Sequence, residues 1–287
     1  MFLWEKGRKS CKKLDIRKLL CTVIFTGLSF CMIMPILWMI SASCKVEADV
    51  FNYPIEWIPR HWNAVANYST VLLENRFFLN YVNSFIQTGG TVVLSLLAGA
   101  MCAYGFTKIR FPRRDSLFLA FVALMMIPPQ LLLIPRFVIA QKLHLYDTLT
   151  ILILMESFSV YGVFMLRQFL MGIPDSICEA ARIDGASHAA IFTKIILPMM
   201  KPALATLAIL KTVWSWNDFQ GPLVFLRSSE KFTVQLAVQQ FAAADGLSPI
   251  YSLVMAGAVV ATLPLIIVFI LFQSQVIDGI AVGAVKG

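Results

Sequence analysis

Long stretches without charged residues dominate this sequence. Leu19–Ile40 and Tyr81–Thr107 contain no Asp, Glu, Lys or Arg, and four later runs contain at most two. Each run is close to or longer than the roughly 20 apolar residues that a helix needs to cross a bilayer. Charged residues make up only 14% of the 287 residues, against about 25% in ordinary soluble domains. The sequence therefore predicts an integral membrane protein.

The predicted fold class is an all-α integral membrane protein with six transmembrane helices. The predicted spans cover residues 19–40, 81–107, 116–137, 148–168, 202–226 and 252–273. They form one transmembrane domain, 19–277, between a basic tail, 1–18, and a C-terminal tail, 278–287. The first run is too long for a signal peptide, whose apolar region is about 7–15 residues. Prolines 35, 128, 129 and 264 are expected to kink spans, because neighbouring helices can bond the carbonyls that they free.

Basic residues indicate how the chain lies in the membrane. The net charge is +8, and most Lys and Arg lie in the N-terminal tail, in residues 108–114 and in residues 167–201. Because short cytoplasmic segments are enriched in Lys and Arg, we expect both termini in the cytoplasm of a multi-pass cell-membrane protein. The charges do not form the basic surface that nucleic acid requires. The lipid bilayer is a predicted partner, and nucleic acid is not.

The cytoplasmic loop 172–198, between spans 4 and 5, has the local signals of two short helices. Pro174 suits the start of the first helix, where a missing N–H costs nothing. Gly185 suits a left-handed cap after it, and Ser187 can cap the second helix, which Pro198 is expected to end. A helix pair held between two spans can pass a push from the cytoplasm to both of them.

The same loop contains the pattern E-A-A-x3-G-x9-I-x-L-P. The residues that match it are Glu179, Ala180, Ala181, Gly185, Ile195, Leu197 and Pro198. This pattern resembles the signature loop of permease subunits of bacterial ABC importers. Trp214–Phe219 resembles the W-N-[DE]-F element of maltose-type carbohydrate permeases, and Gly279–Gly287 is similar to the tail of that family's shorter subunit.

The resemblance implies a type I ABC importer permease fold and a set of partners. These are a second permease subunit, two ATPase subunits and an extracytoplasmic sugar-binding protein. The loop would dock on an ATPase through Glu179, Ala181, Asp184 and Gly185, and the tail residues Gly283, Lys286 and Gly287 would approach the ATPases. ATP and Mg would be bound by the partner ATPase. No cofactor is expected on this chain, which has no G-x-x-x-x-G-K-[ST] or H-E-x-x-H motif and is predicted not to be an enzyme.

A translocation path is predicted around spans 4 and 5. Lys211, Trp214 and Asp218 are spaced to share one face of a continuous span 5. The predicted path residues are Trp214, Trp216, Asn217, Asp218, Gln220 and Glu156. For the tryptophans, an interfacial aromatic belt is the alternative. For Glu156, mid-span, the alternatives are a pathway or gate residue and a structural hydrogen bond or protonated carboxyl.

The predicted function is the membrane subunit of a binding-protein-dependent importer, forming half of the path for a sugar. Its cytoplasmic loop would couple ATP hydrolysis by the partners to alternating access. Within that class, glycerol phosphate or another polyol is the alternative substrate. A secondary transporter is a different alternative, but it would leave the signature loop unexplained. A metal site is not predicted, because His61, His144 and His188 are scattered.

Overall fold

The computed structural model describes residues 16–74, 76–242 and 249–284. In chain order the α-helices are α1 (Ile16–Ser43), α2 (Ala64–Ser69), α3 (Phe77–Lys108), α4 (Arg114–Ala123), α5 (Leu133–Lys142), α6 (Leu149–Ser157), α7 (Val160–Met171), α8 (Asp175–Ile183), α9 (His188–Ile191), α10 (Leu197–Met199), α11 (Lys201–Trp216), α12 (Gln220–Phe225), α13 (Val234–Ala242) and α14 (Tyr251–Ala284). In these ranges extended pairing is limited to one bridge, between Lys45 and Trp62. The all-α fold class is confirmed.

Three helices are long and apolar enough to cross a membrane unbroken. They are α1, α3 and the Tyr251–Gln273 part of α14. Pro35 and Pro264 lie inside α1 and α14 without ending them. The helix of α14 continues to Ala284, so most of the segment predicted as a separate tail belongs to this helix.

Three bent pairs of helices are also long and apolar enough to cross a membrane, which brings the number of candidate spans to as many as six. The sharpest bend, 92°, joins Arg114–Met126 to Pro129–Lys142. Ile127 and Pro128 each precede a proline and are extended, with ψ of 114° and 130°. A residue before proline is disfavoured in the helical region, so two successive prolines break the helix. The uninterrupted span predicted over 116–137 is therefore divided.

The other two bends come from local capping and from proline. Between α6 and α7 the chain bends by 41°, and the Ser159 hydroxyl accepts a hydrogen bond from the Gly162 amide to start α7. The helices His188–Met199 and Lys201–Trp216 meet at 73°. That bend follows Pro198, which disfavours a continuous helix, and the loop helices therefore run at a steep angle to the span.

Span 5 also departs from its prediction, 202–226. Helix α11 ends at Trp216, and α12 begins only at Gln220. Pro222 explains the break, because in a continuous helix its ring would clash with the carbonyl of Asp218 and its missing N–H would leave that carbonyl unpaired. Near the start of a new helix Pro222 costs no hydrogen bond. Asp218 therefore lies at a break and not on one face with Lys211 and Trp214.

Helix α3 is the centre of the packing, since its main contacts are with α6, α7 and α11. A cluster of buried side chains joins α3, α7 and α11 to the loop between α7 and α11. Its members include Ala100, Tyr104, Leu166, Leu170, Cys178, Ile191, Met200 and Leu207. The loop is thus part of the core of the membrane domain.

Candidate functional site

The loop of residues 172–198 folds as its sequence signals predict. Pro174 precedes α8, and Gly185 follows it with φ of +80°. The Ser187 hydroxyl accepts a hydrogen bond from the Ala190 amide and caps α9. Pro198 lies one residue before the end of the second helix. Two short helices therefore stand against the ends of the spans.

The outer face of α8 is open, and its inner face is packed. Glu179, Ala180, Asp184 and Gly185 are exposed, and Ile183 next to them is 87% exposed. Ala180 and Gly185 have little or no side chain, whereas Glu179 and Ile183 are larger residues of this exposed face.

Ala181 differs from the rest of the predicted docking set. It is only 8% exposed and packs in the buried cluster together with Cys178. A larger side chain at Ala181 would push α8 away from the spans. Its small size serves packing within this subunit.

The second half of the loop signature also faces inwards. Ile195 and Leu197 pack against the buried cluster, whereas Pro198 is exposed. Phe192–Ile196 form a π-helical turn between α9 and α10. These residues seat the second loop helix against the cluster.

Lys108, the last residue of α3, anchors the start of α8. Its side chain is 2% exposed. The ammonium group donates to the carbonyl of Ile173 and to a carboxylate oxygen of Asp175 at 2.7 Å. The hydrogen bond from Lys108 lowers the pKa of the Asp175 carboxyl. The loop is therefore tied to α3 as well as to the two spans that it connects.

From the sequence alone, Lys108 is only one of the basic residues that indicate orientation in the membrane. The sequence does contain a signal for its contact with Asp175. Lys108 directly follows a predicted span, and Asp175 lies in the first turn of a predicted loop helix. Arg182 adds a second tie, because its guanidinium donates to the carbonyl of Lys108 at 3.4 Å. Arg110 pairs with Glu179 only at the surface, at 3.7 Å.

A second polar region lies at the helix breaks inside the membrane domain. Lys211 is buried on α11, and its ammonium group donates to the backbone carbonyl of Glu156 at 2.8 Å. The Glu156 carboxylate lies 3.9 Å from the same ammonium group. Both residues lie in predicted spans, but nothing in the sequence indicates that they pair.

Glu156, Asp218 and Gln220 line one cleft of about 60 Å³, which also includes Arg136. Asp218 accepts a hydrogen bond from the amide of Gly221 at 3.0 Å. The structure thus brings together three of the six predicted path residues. They come from α6, from the break and from α12.

The other three predicted path residues lie elsewhere. Trp216 is buried, its indole donates to the carbonyl of Ala261 at 2.9 Å, and it lines a separate apolar cavity of about 280 Å³. Trp214 is 45% exposed and meets the ring of Tyr161 edge-on. The Asn217 side chain accepts a hydrogen bond from that of Gln235 at 3.2 Å.

The remaining predictions concern the C-terminus and metal binding. Gly283 lies in α14, and Lys286 and Gly287 lie outside the described residues. Within the described ranges, His, Cys, Asp and Glu side chains form no group of three or more that could hold a metal ion.

Comparison with known proteins agrees with this architecture. Residues 92–281 match the family described as "Binding-protein-dependent transport system inner membrane component". The AraQ permease of an arabinooligosaccharide transport system from Halalkalibacterium halodurans is 35% identical, with 93% of this chain and 96% of that protein covered. The SugB permease of a trehalose transport system from Mycobacterium tuberculosis is 31% identical, with 89% and 93% covered.

A solved structure has the same fold. It is the crystal structure of a bacterial ABC transporter involved in the import of the acidic polysaccharide alginate. The likeness has a TM-score of 0.79 at 25% identity and covers 95% of this chain and 99% of that one. The match to the family spans well over half of the chain and includes both the loop and the cleft. The chain belongs to the family of inner membrane components of binding-protein-dependent transport systems, as a multi-pass permease with the type I ABC importer fold.

Proposed function

We propose that this chain forms half of the translocation path for a sugar and couples it to ATP hydrolysis by partner subunits. The names of its relatives support a sugar, since both AraQ and SugB are permeases of sugar transport systems. The path would pass the cleft with Glu156, Asp218 and Gln220, with Trp214, Asn217 and Trp216 on neighbouring surfaces. Both termini would lie in the cytoplasm.

The proposed complex contains a second permease, two ATPase subunits and an extracytoplasmic sugar-binding protein. ATP and Mg would be held by the ATPases and not by this chain. The exposed face of α8, with Glu179, Ala180, Asp184 and Gly185, would dock on one ATPase. The tail around Gly283–Gly287 would approach the ATPases as well.

The observation that carries the coupling proposal is that the loop is exposed on one face and buried on the other. Lys108 ties α8 to α3, and the buried cluster ties both loop helices to α7 and α11. A displacement of the outer face would therefore move the ends of three spans together, because packed interiors transmit strain. Alternating access needs such a joint movement.

A pull-down tests this assignment. The tagged protein is extracted in mild detergent and its bound proteins are identified by mass spectrometry, for the unaltered chain and for Glu179→Lys with Gly185→Val. We expect a second permease and an ATPase with the unaltered chain, and loss of the ATPase alone with the altered loop. Arg60→Met, an external substitution, is the control and should keep both partners.

Glycerol phosphate or another polyol is the alternative substrate in the same class. A phosphate group would call for basic side chains, whereas the cleft contains one, Arg136, together with two carboxylates. A secondary transporter would work alone, so gradient-driven uptake by the isolated chain without ATP would contradict the proposal.

A further inference from the structure

We propose that the cleft at the helix breaks is a binding subsite for hydroxyl groups of the transported solute, with the carboxylates of Glu156 and Asp218 as acceptors. The inference rests on the proposed function and adds a site and a ligand chemistry to it. The ligand class is a neutral polyhydroxylated molecule. The subsite belongs to this subunit itself.

Two helix breaks meet at the cleft, one between α6 and α7 and one between α11 and α12. Glu156 lies near the end of α6, about 10 Å along the helix from its start at a rise of 1.5 Å per residue. Asp218 follows α11, whose 16 residues extend about 24 Å from the loop side. The contact of Lys211 with Glu156 holds α11 against the end of α6. Irregular backbone at membrane depth is tolerated where it is buried in protein or lines a water-filled cavity.

The Glu156 carboxylate keeps its capacity to accept hydrogen bonds. The Lys211 ammonium donates to the Glu156 backbone carbonyl, and the carboxylate is farther away, at 3.9 Å. Among the described residues, no side chain or amide donates to this carboxylate, and the side chain is 38% exposed. Lys211 is thus a positioning residue that fixes the end of α6 and leaves the acid facing the cleft.

Asp218 is held in place by Gly221, and there is no room for a larger side chain at that position. One carboxylate oxygen accepts from the Gly221 amide at 3.0 Å, and the other lies 2.4 Å from where a Cβ on Gly221 would stand. The buried side chain of Gln87 lies beside Asp218 and interacts with its carboxylate. These contacts hold in place a carboxylate that lines the cleft.

The composition of the cleft favours hydroxyl groups over ions. Two carboxylates and one cation, Arg136, line the cleft, and the buried Lys211 lies 3.9 Å from Glu156, so the cluster has no strong net charge. A hydroxyl group both donates and accepts, and therefore suits carboxylates beside the donors of Arg136 and Gln220. A volume of about 60 Å³ exceeds the roughly 10–15 Å³ that a site needs to hold one water molecule. The subsite would hold hydroxyl groups of a sugar as it passes.

The test uses the complete importer in proteoliposomes, with the binding protein encoded with it. Uptake is measured for labelled arabinotriose, trehalose, maltotriose and raffinose, with glycerol 3-phosphate in parallel. For the sugar that is taken up best, Glu156→Gln and Asp218→Asn should each lower the maximal rate about tenfold, the effect of losing a hydrogen bond to a charged group. ATP hydrolysis stimulated by the loaded binding protein should persist.

A second readout separates hydroxyl binding from a structural role. The unaltered importer should transport the best sugar faster than its singly O-methylated derivatives. The ratio of these two uptake rates should fall towards one in Glu156→Gln. Gln220→Ala, at an exposed cleft position, is a variant that folding tolerates, and about threefold slower uptake is expected for the loss of a neutral hydrogen bond. Glu230→Gln and Gln240→Ala, both outside the cleft, are the matched controls.

The outcomes distinguish the inference from the proposed function. Sugar uptake within twofold of the unaltered rate in Glu156→Gln, Asp218→Asn and Gln220→Ala would overturn the subsite and leave the sugar importer intact. An unchanged preference against the O-methylated derivatives would overturn it as well. Uptake of none of the sugars by the unaltered importer would overturn the proposed function, and the inference with it.

Discussion

The loop 172–198 and the cleft at the helix breaks use charged side chains in opposite ways. At the loop, the Lys108 ammonium is almost fully buried and bonds both the Ile173 carbonyl and the Asp175 carboxylate. In the cleft, the Glu156 carboxylate is partly exposed and has its counter-ion 3.9 Å away. A part that transmits force gains from fixed, fully paired groups, whereas a part that a solute passes has to keep bonding capacity free.

The largest effect is expected from breaking the anchor of the loop. Lys108→Met leaves the buried Ile173 carbonyl without its donor and removes the partner of Asp175, which costs about 1–3 kcal/mol. Sugar uptake in proteoliposomes should fall more than about tenfold. Arg110→Met removes a neighbouring charge that is 83% exposed, and its uptake should stay within about twofold, since exposed ion pairs contribute little. Equal effects of the two substitutions would contradict the role of the anchor.

A substitution at Gly185 tests whether the shape of the loop matters. A Cβ there would meet no neighbouring atom, so strain comes only from the positive φ. Gly185→Val should cost about 1–2 kcal/mol locally and lower the sugar taken up per ATP hydrolysed. Gly185→Asn is the matched control, because asparagine tolerates the left-handed region. A normal ratio in Gly185→Val would show that the turn is dispensable.

Gly221→Ala sharpens the comparison from the side of the cleft. The added methyl group would overlap a carboxylate oxygen of Asp218 and displace it. We expect the rate of uptake to fall about three- to fivefold. This effect is smaller than that of Asp218→Asn, because the Asp218 carboxylate is displaced but not removed. Gly105→Ala, on α3 with open space around it, should leave uptake unchanged. A full rate in Gly221→Ala would mean that the position of Asp218 is unimportant.

The smallest effect is expected at Asp147, which precedes α6 and bonds the segment that follows α12. Burial alone would raise the pKa of Asp147, but hydrogen bonds from Ser228, Arg227 and Lys231 lower it well below its usual value. Asp147→Asn should lower the free energy of unfolding by about 1–2 kcal/mol at neutral pH. Translocation should be unaffected, because Asp147 belongs neither to the loop 172–198 nor to the cleft.

The pH dependence of that loss follows from the depressed pKa. The charged form of Asp147 stabilises the folded chain at pH values above the unfolded-state pKa of about 4, and its contribution is lost as pH falls towards the folded-state pKa. Thermal unfolding of the solubilised protein should therefore separate Asp147→Asn from the unaltered chain at pH 7 and progressively less below about pH 4. A difference that grows on acidification would contradict this assignment.

Local signals in the sequence predicted the loop better than the cleft. Gly185 and Ser187 act through their immediate neighbours, so turn and cap chemistry was sufficient for the two loop helices. Long apolar runs predicted where spans lie, but not that Pro128 and Pro129 divide one of them. Apolar content alone does not distinguish a kink from a break.

The pairings that define both regions could not be read from the sequence. Lys108 and Asp175 are 67 residues apart in the chain, and Lys211 and Glu156 are 55 apart. Such contacts depend on how the helices pack around α3. Asp218 was expected on the face of a continuous helix, and only the break before Pro222 brings it beside Glu156.

Thiol labelling in the cleft tests most directly whether the loop controls access to the path. Gln220→Cys is introduced into the complete importer in nanodiscs, and its reaction with a membrane-impermeant reagent is followed with and without ATP under non-hydrolysing conditions. The chain without Gln220→Cys gives the background from its native cysteines. We predict that ATP changes the labelling rate several-fold with the native loop or Gly185→Asn, and not with Gly185→Val. An unchanged rate with the native loop, or an equal change with Gly185→Val, would contradict coupling through this loop.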